Sequence, residues 1–158
     1  MKVLLVSDTH GMDGTLEYVL DLEKPQFLCH MGDVEGSADH IREIAKCPVA
    51  MVSGNNDFFT DLHQEVCFDL EGFRIFMTHG HYYYLYSGTQ RLIYAGLEKG
   101  ANIILFGHTH MPALEIEDGV IVANPGSLSL PRQQGRKPSY MVMHLEKGKE
   151  PEIEIKYL

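Results

Sequence analysis

The chain has 158 residues, 44% of them hydrophobic and 22% charged, with a formal net charge of −9. That length fits one domain spanning 1–158 with a substantial core, and the composition excludes a disordered chain. The acidic balance argues against stable nucleic-acid binding and against adhesion to anionic membranes, but it leaves room for a small phosphate ester held through metal cations. Cys29, Cys47 and Cys67 are odd in number and form no CxxC pair, so neither a disulfide framework nor a cysteine zinc site is expected. Cys29 and Cys67 sit in apolar runs and read as small core residues. No cationic leader and no run of membrane-spanning length appears, which points to a soluble, cytoplasmic protein.

The first predicted strand is 3–6. Residues 14–24 place Leu16, Val19, Leu20 and Glu23 at helical spacing until Pro25 stops them. Residues 27–29 form a second strand. Ser37 is the expected cap of a helix carrying Ile41, Ile44 and Ala45, which ends before Pro48, and 49–52 is a third strand. This βαβαβ start implies parallel neighbours joined by right-handed crossovers. In the second half, 65–70 and 73–77 read as a hairpin around Glu71-Gly72, and a helix over 89–99 ends at Gly100. After a strand at 103–106 come short strands at 113–117, 120–123, 140–145 and 153–157, which point to a second sheet. The expected fold is α/β, a layered α-β-β-α sandwich of two mixed sheets flanked by helices. Pro131 to Pro138 is a polar loop carrying Arg132 and Arg136.

Five apolar runs lead into short polar blocks. Val3-Leu4-Leu5-Val6 precedes Ser7-Asp8-Thr9-His10-Gly11, and Phe27-Leu28-Cys29 precedes Gly32-Asp33. Val49-Ala50-Met51-Val52 precedes Ser53-Gly54-Asn55-Asn56-Asp57, Ile75-Phe76-Met77 precedes Thr78-His79-Gly80-His81, and Ile103-Ile104-Leu105-Phe106 precedes Gly107-His108-Thr109-His110. If the runs are strands of one buried sheet with a common direction, all five blocks emerge at one edge, where ligands of open sheets collect. Asp8 and His10 are two apart, as are His108 and His110. In extended backbone that spacing turns both side chains to one side. The inventory is Asp8, His10, Asp33, Asn55, His79, His108 and His110. It mixes imidazoles with oxygen ligands and holds no thiolate, which suits Mn, Fe, Ni or Zn. Seven protein ligands exceed one metal with an open position and fit two metals about 3.5–4 Å apart that share a carboxylate.

The blocks SDTHG, GDVEG, GNND, THGH and GHTH, in this order and followed by Asn124-Pro125-Gly126-Ser127, resemble the calcineurin-like metallophosphoesterase superfamily. The short chain is most similar to its small prokaryotic phosphodiesterase branch, over the stretch from Lys2 to about Ser127. The resemblance implies one metal held by Asp8, His10, Asp33 and His110. A second would be held by Asp33, Asn55, His79 and His108, with Asp33 as the bridge. It implies hydrolysis of small phosphodiesters by in-line attack of a metal-activated water, with two divalent cations. Mn or Ni come first, and Fe, Zn, Co and Mg are the alternatives.

One position departs from the family pattern. Many members carry His next to last in the Gly-Asn-His-Asp block, where this chain has Asn56, which has no acidic proton to give at neutral pH. Rates should then depend strongly on leaving-group pKa, which favours activated diesters over alkyl monoesters. His81 is the candidate substitute donor, with a plain surface residue as the alternative. Asp57 is expected to support the site through hydrogen bonds. His30, His40, His63 and His144 read as structural or solvated. Tyr82, Tyr83, Tyr84 and Tyr86 read as packing or as a subunit contact compatible with a homo-oligomer, with a place at the pocket mouth as the alternative. Arg132 and Arg136 read as solvated, with a phosphate contact as the alternative. Two rival functions stand beside the phosphodiesterase. One is a non-catalytic scaffold, because the retromer complex contains a subunit of this fold with chiefly an interaction role. The other is a phosphomonoesterase. The complete ligand set weighs against the first and Asn56 against the second.

Overall fold

In the computed structural model, which describes residues 1–158, the first apolar run forms β1 (Lys2–Val6). It is followed by α1 (Gly14–Glu23), β2 (Phe27–His30), α2 (Ala38–Ala45) and β3 (Val49–Met51). β1, β2 and β3 are parallel neighbours, as the alternation of elements predicts. A hairpin of β4 (Glu65–Leu70) and β5 (Phe73–Thr78) turns at Glu71-Gly72. Both turn residues have positive φ (50° and 86°), the backbone that suits the right-handed twist of a hairpin. Then come α3 (Gln90–Glu98), β6 (Ile103–Leu105), β7 (Pro112–Glu117), β8 (Val120–Pro125), β9 (Ser139–His144) and β10 (Glu152–Tyr157). No helix is long and apolar enough to cross a membrane.

The strands form two five-stranded mixed sheets in the orders β10-β9-β1-β2-β3 and β4-β5-β6-β8-β7. In β1, Val3 and Leu5 enter a core between the sheets with Ile75, Met77, Ile103 and Leu105. Leu4 and Val6 face the other way and pack on Leu16 and Val19 of α1 and Ile41 of α2. Leu92 of α3 covers Phe76, Ile104 and Val122 on the outer face of the second sheet. The order of layers is thus helix, sheet, sheet, helix. Strands buried on both faces explain why the runs are continuously apolar rather than alternating. Truncating a side chain in the inter-sheet core, as in Leu5→Ala, is expected to cost about 2–5 kcal/mol.

Three expectations are corrected. The five apolar runs do not share one sheet, since β1, β2 and β3 lie in the first and β5 and β6 in the second. The strands near 140–145 and 153–157 do not extend the second sheet either. β9 pairs antiparallel with β1 and β10 with β9. The physical reason is that Tyr140 and Val142 pack toward the α1 layer while Met141 and Met143 face the inter-sheet core, which fills the free edge of β1. Ser37 stands at the N-cap of α2, but its hydroxyl donates 2.7 Å to Val34 O instead of accepting from the helix.

Candidate metal centre

The polar blocks meet where β1, β2, β3, β5, β6 and β8 end. Main-chain hydrogen bonds join them: Asp8 N to Gly32 O at 3.0 Å, His10 N to Asp33 O at 2.9 Å and Gly107 N to His79 O at 3.0 Å. The extended-backbone spacing expected for Asp8/His10 and His108/His110 is not what brings them together. Asp8, His10, Asp33, His108 and His110 all take left-handed backbone, with φ of 55°, 49°, 57°, 67° and 59°. Such conformations cost about 1–3 kcal/mol each outside glycine and persist where the surroundings over-determine them. Ser127 and Ser129 supply part of that support, their hydroxyls donating to Asp8 O at 2.7 and 2.9 Å. Asn124 Nδ2 adds more by donating to Gly107 O at 2.8 Å and to Thr109 Oγ1 at 3.0 Å. The Asn-Pro-Gly-Ser match was the only sequence signal for this brace. Gly54 is required by close approach, because a Cβ there would lie 2.1 Å from Asp33 Oδ1.

Asp8, His10, Asp33 and His110 each bring a ligand atom within 4.8 Å of the others, a group able to hold a metal ion. Their hydrogen bonds define which atoms are free. His110 Nδ1 lies 2.7 Å from Leu130 O, and His79 Nδ1 lies 2.7 Å from Met31 O. A carbonyl only accepts, so Nδ1 is the donor and Nε2 of each neutral ring carries a lone pair. His10 Nδ1 is similarly bonded to Glu35 Oε1 at 2.7 Å. The Nε2 atoms of His10 and His110 face each other at 3.3 Å. His10 Nε2 lies 3.9 Å from Asp8 Oδ1 and 3.8 Å from Asp33 Oδ2, and His79 Nε2 lies 3.6 Å from Asp33 Oδ2. His110 Nε2 is 3.1 Å from Asp8 Oδ1 but outside hydrogen-bond alignment, which leaves that buried oxygen without a partner. With Nδ1 of each ring held as a donor, the set is completed by a cation at Nε2, either a proton on His110 beside Asp8 or a metal ion that displaces it, and the residues present fit a metal ion.

Around this core, Asn55 Oδ1 lies 3.0 Å from His79 Nε2, another pair of acceptors. The His108 ring packs edge-on to His79 with centroids 5.2 Å apart. Asn56 points inward, its N–H donating to Asp33 Oδ1 at 2.8 Å and its amide to Asp33 Oδ2 at 2.7 Å. Asp57 accepts from the N–H groups of Asp33, Glu35 and Gly54 at 2.8, 2.7 and 2.7 Å, so one carboxylate joins two blocks. His81 is half-buried with its Nδ1 unpartnered, and its ring lies 4.0 Å from that of Tyr82. Tyr83 faces inward against Phe76 and bonds Glu65. Tyr84 carries Arg91 over its ring at 4.8 Å, and Tyr86 stands 6.3 Å from His108. The Arg132 N–H donates to His110 O at 3.0 Å while its side chain is exposed. His30 is fully buried, taking a hydrogen bond from Gly32 N and contacting Thr9 Oγ1 at 3.1 Å.

The electrostatics follow the geometry. Burial alone would raise the Asp8 carboxyl, but His110, the neighbouring His79 and the Ser7 hydroxyl hold it below the ordinary value. For His110, burial lowers the imidazole and the adjacent Asp8 outweighs it, leaving it raised. Burial first, then nearby imidazoles, lower His108 and His81. Burial pushes His30 down to about 4, which keeps it neutral beneath the site.

A carboxylate–imidazole pocket at the strand ends of an α-β-β-α sandwich is the architecture of a metal-dependent phosphoesterase. The family profile of the calcineurin-like phosphoesterase superfamily domain matches residues 1–148, and the chain belongs to that superfamily. It is 34% identical over 148 residues to the probable metallophosphoesterase YsnB of Bacillus subtilis (strain 168), covering 92% of this chain and 85% of that protein. It is 33% identical over 168 residues to the phosphodiesterase YfcE of Escherichia coli (strain K12), covering 89% and 85%. The structure is similar to that of zinc-complexed Vps29 from Entamoeba histolytica, with a TM-score of 0.80 over 99% of each chain at 19% identity, a likeness of fold alone. Relatives in bacteria and archaea put the chain in the small prokaryotic branch.

Proposed function

We propose that the chain is a phosphodiesterase with a dinuclear site, acting on small phosphodiesters as one domain spanning 1–158. In this reading Asp8, His10, Asp33 and His110 hold one divalent cation, and Asp33, Asn55, His79 and His108 hold the other, with Asp33 shared. The observation that carries the reading is the convergence of carboxylates and imidazoles, above all the buried and unpartnered Asp8 Oδ1 beside the Nε2 atoms of His110 and His10. Mixed nitrogen and oxygen ligands support Mn or Ni. The three cysteines are all unpaired, which supports a reducing compartment such as the cytoplasm.

When bound, two such cations lower the pKa of a coordinated water toward about 7 and offset charge on the phosphoryl oxygens. The chain's own residues orient and exclude. Leu130 O, Met31 O and Glu35 keep three Nε2 lone pairs turned inward. Asp57 fixes the turn that carries Asn55 and Asn56. Asn56 can donate a hydrogen bond to Asp33 or to a phosphoryl oxygen but cannot protonate a departing alkoxide. His81 is the proposed partner on the leaving-group side. Its lowered pKa favours the neutral ring, so it contributes a hydrogen bond rather than a full acid proton. Turnover is therefore expected for diesters with acidic leaving groups.

The test uses protein purified without added metal, with bis(p-nitrophenyl) phosphate as substrate and Mn2+, Ni2+ or a chelator added. Wild type should be metal-dependent, and Asp33→Asn and His79→Ala should each lose at least about 100-fold. Equal rates in all three proteins, or indifference to chelation, would sink the proposal. p-Nitrophenyl phosphate turned over faster than the diester would favour a monoesterase. The scaffold reading has one observation on its side: Phe58, Phe59 and Tyr86, close to the site in sequence or space, are 75%, 108% and 82% exposed. A protein that takes up no metal and hydrolyses neither ester would favour that reading.

A further inference from the structure

The three imidazoles with inward lone pairs are not held alike. His79 and His110 are oriented by main-chain carbonyls, Met31 O just after β2 and Leu130 O in the loop after β8, where the Leu130 N–H donates to Ser127 Oγ at 2.8 Å. His10 is oriented by a side chain, the Glu35 carboxylate at 2.7 Å, which is 41% exposed against 10% for the His10 ring. Glu35 is itself set in place with care. Its backbone is left-handed at φ 48°, and its N–H donates to Asp57 Oδ1 at 2.7 Å. The other Asp57 oxygen binds the N–H groups of Asp33 and Gly54. One acidic pair, Asp57 and Glu35, thus links the third block to the second and the second to His10. No element of regular structure performs that link.

We propose that Glu35 is a positioning residue for His10, and that through His10 it sets the metal affinity of the Asp8/His10/Asp33/His110 position while leaving the other position alone. The inference rests on the two-cation reading above. A carboxylate on Nδ1 fixes the tautomer and raises the basicity of Nε2, and loss of such a partner typically lowers metal affinity about 10–100-fold. A main-chain carbonyl gives the same tautomer without the charge and without side-chain entropy. An exposed carboxylate is also screened by salt. The position served by Glu35 should therefore be the salt-sensitive one of the two.

The experiment is a Co2+ titration of metal-free protein, followed by visible absorption and by competition with a chromophoric chelator, on wild type, Glu35→Ala, Glu35→Gln, His10→Ala and the double variant. Wild type should take up two equivalents. Glu35→Ala should weaken one of them about 10–100-fold, with a changed Co2+ spectrum for that equivalent only. Glu35→Gln, which still accepts from Nδ1, should recover the spectrum but only part of the affinity. Adding Glu35→Ala to His10→Ala should cost nothing further, because the two act as a unit. Unchanged binding in Glu35→Ala overturns the proposal. So does equal weakening of both equivalents together with a lower Tm, which would make Glu35 a brace of the loop. If wild type binds a single equivalent, the two-cation reading fails. The inference is then decided on that equivalent: weakening in Glu35→Ala upholds it and indifference overturns it.

Discussion

The first sheet buries a carboxylate at each end, and the two are completed in opposite ways. At one end Glu23 of α1 lies 2.8 Å from Lys2 Nζ and 2.9 Å from Lys156 Nζ, and takes a hydrogen bond from Tyr140 OH at 2.9 Å. Every lone pair that needs a donor finds one within the protein. At the other end Asp8 is as deeply buried, yet Oδ1 has no hydrogen-bond partner and looks onto the Nε2 atoms of His110 and His10 at 3.1 and 3.9 Å. Burying a charge is costly unless it is paired, so an incomplete carboxylate persists only where something else completes it. The difference separates a structural charge cluster from a binding site more sharply than counting acidic residues does.

Substitution at the two carboxylates is the most direct way to break that comparison. Asp8→Asn should lower the metal-dependent diesterase rate at least about 100-fold. Metal-free Asp8→Asn should nevertheless melt close to wild type, because an Asn oxygen still accepts from the Ser7 hydroxyl and the His108 N–H and Asn suits the left-handed backbone at this position. Calorimetry on the chelated proteins reads this, and a large loss of Tm would erase the distinction. Glu23→Gln should do the reverse, leaving activity near wild type and costing about 1–3 kcal/mol through broken charged hydrogen bonds.

The pH dependence of that second effect has a defined sign. Burial alone would raise Glu23, but Lys2, Lys156 and Tyr140 outweigh it and lower its pKa to about 2 from an ordinary value of 4.5. A depressed carboxyl stabilises the fold above its unfolded pKa, and that stability is lost as pH falls from 4.5 through about 2. Denaturation midpoints measured down the acid limb should fall less steeply in Glu23→Gln than in wild type.

Two smaller effects sharpen the picture of the site. Gly54→Ala would press a methyl onto Asp33 Oδ1, at 2.1 Å before relaxation. A displacement of about 1 Å at the shared carboxylate is expected to cost up to about 100-fold in rate, with a far-UV spectrum like that of wild type. Tyr86→Ala should raise KM for an aryl diester about 2–10-fold and leave kcat alone, as fits a stacking contact beside His108. Parallel assays with a methyl ester in place of one aryl group check this, since the effect should vanish there.

The sequence by itself determined the layers and the cast. Continuous apolar runs such as Ile103–Leu105 predicted doubly buried strands, helical spacing at Leu16, Val19 and Leu20 predicted α1, and the polar blocks named the residues that gather at the strand ends. These features are local, written within a few residues, and periodicity carries them. Tertiary structure decided how the strands divide between two sheets, where β9 and β10 dock, and how the ligands converge. Left-handed turns at Asp8, His10, Asp33, His108 and His110 replaced the extended spacing, and braces come from more than a dozen residues away: Ser127 and Ser129 hold Asp8 O, Asn124 holds Gly107 O and Asp57 holds Asp33 N. The same distance hid Glu35, which the sequence shows only as one acidic residue in Gly32-Asp33-Val34-Glu35-Gly36. Its partner His10 lies 25 positions upstream, and only the packed crossover of β1 and β2 brings the two to 2.7 Å.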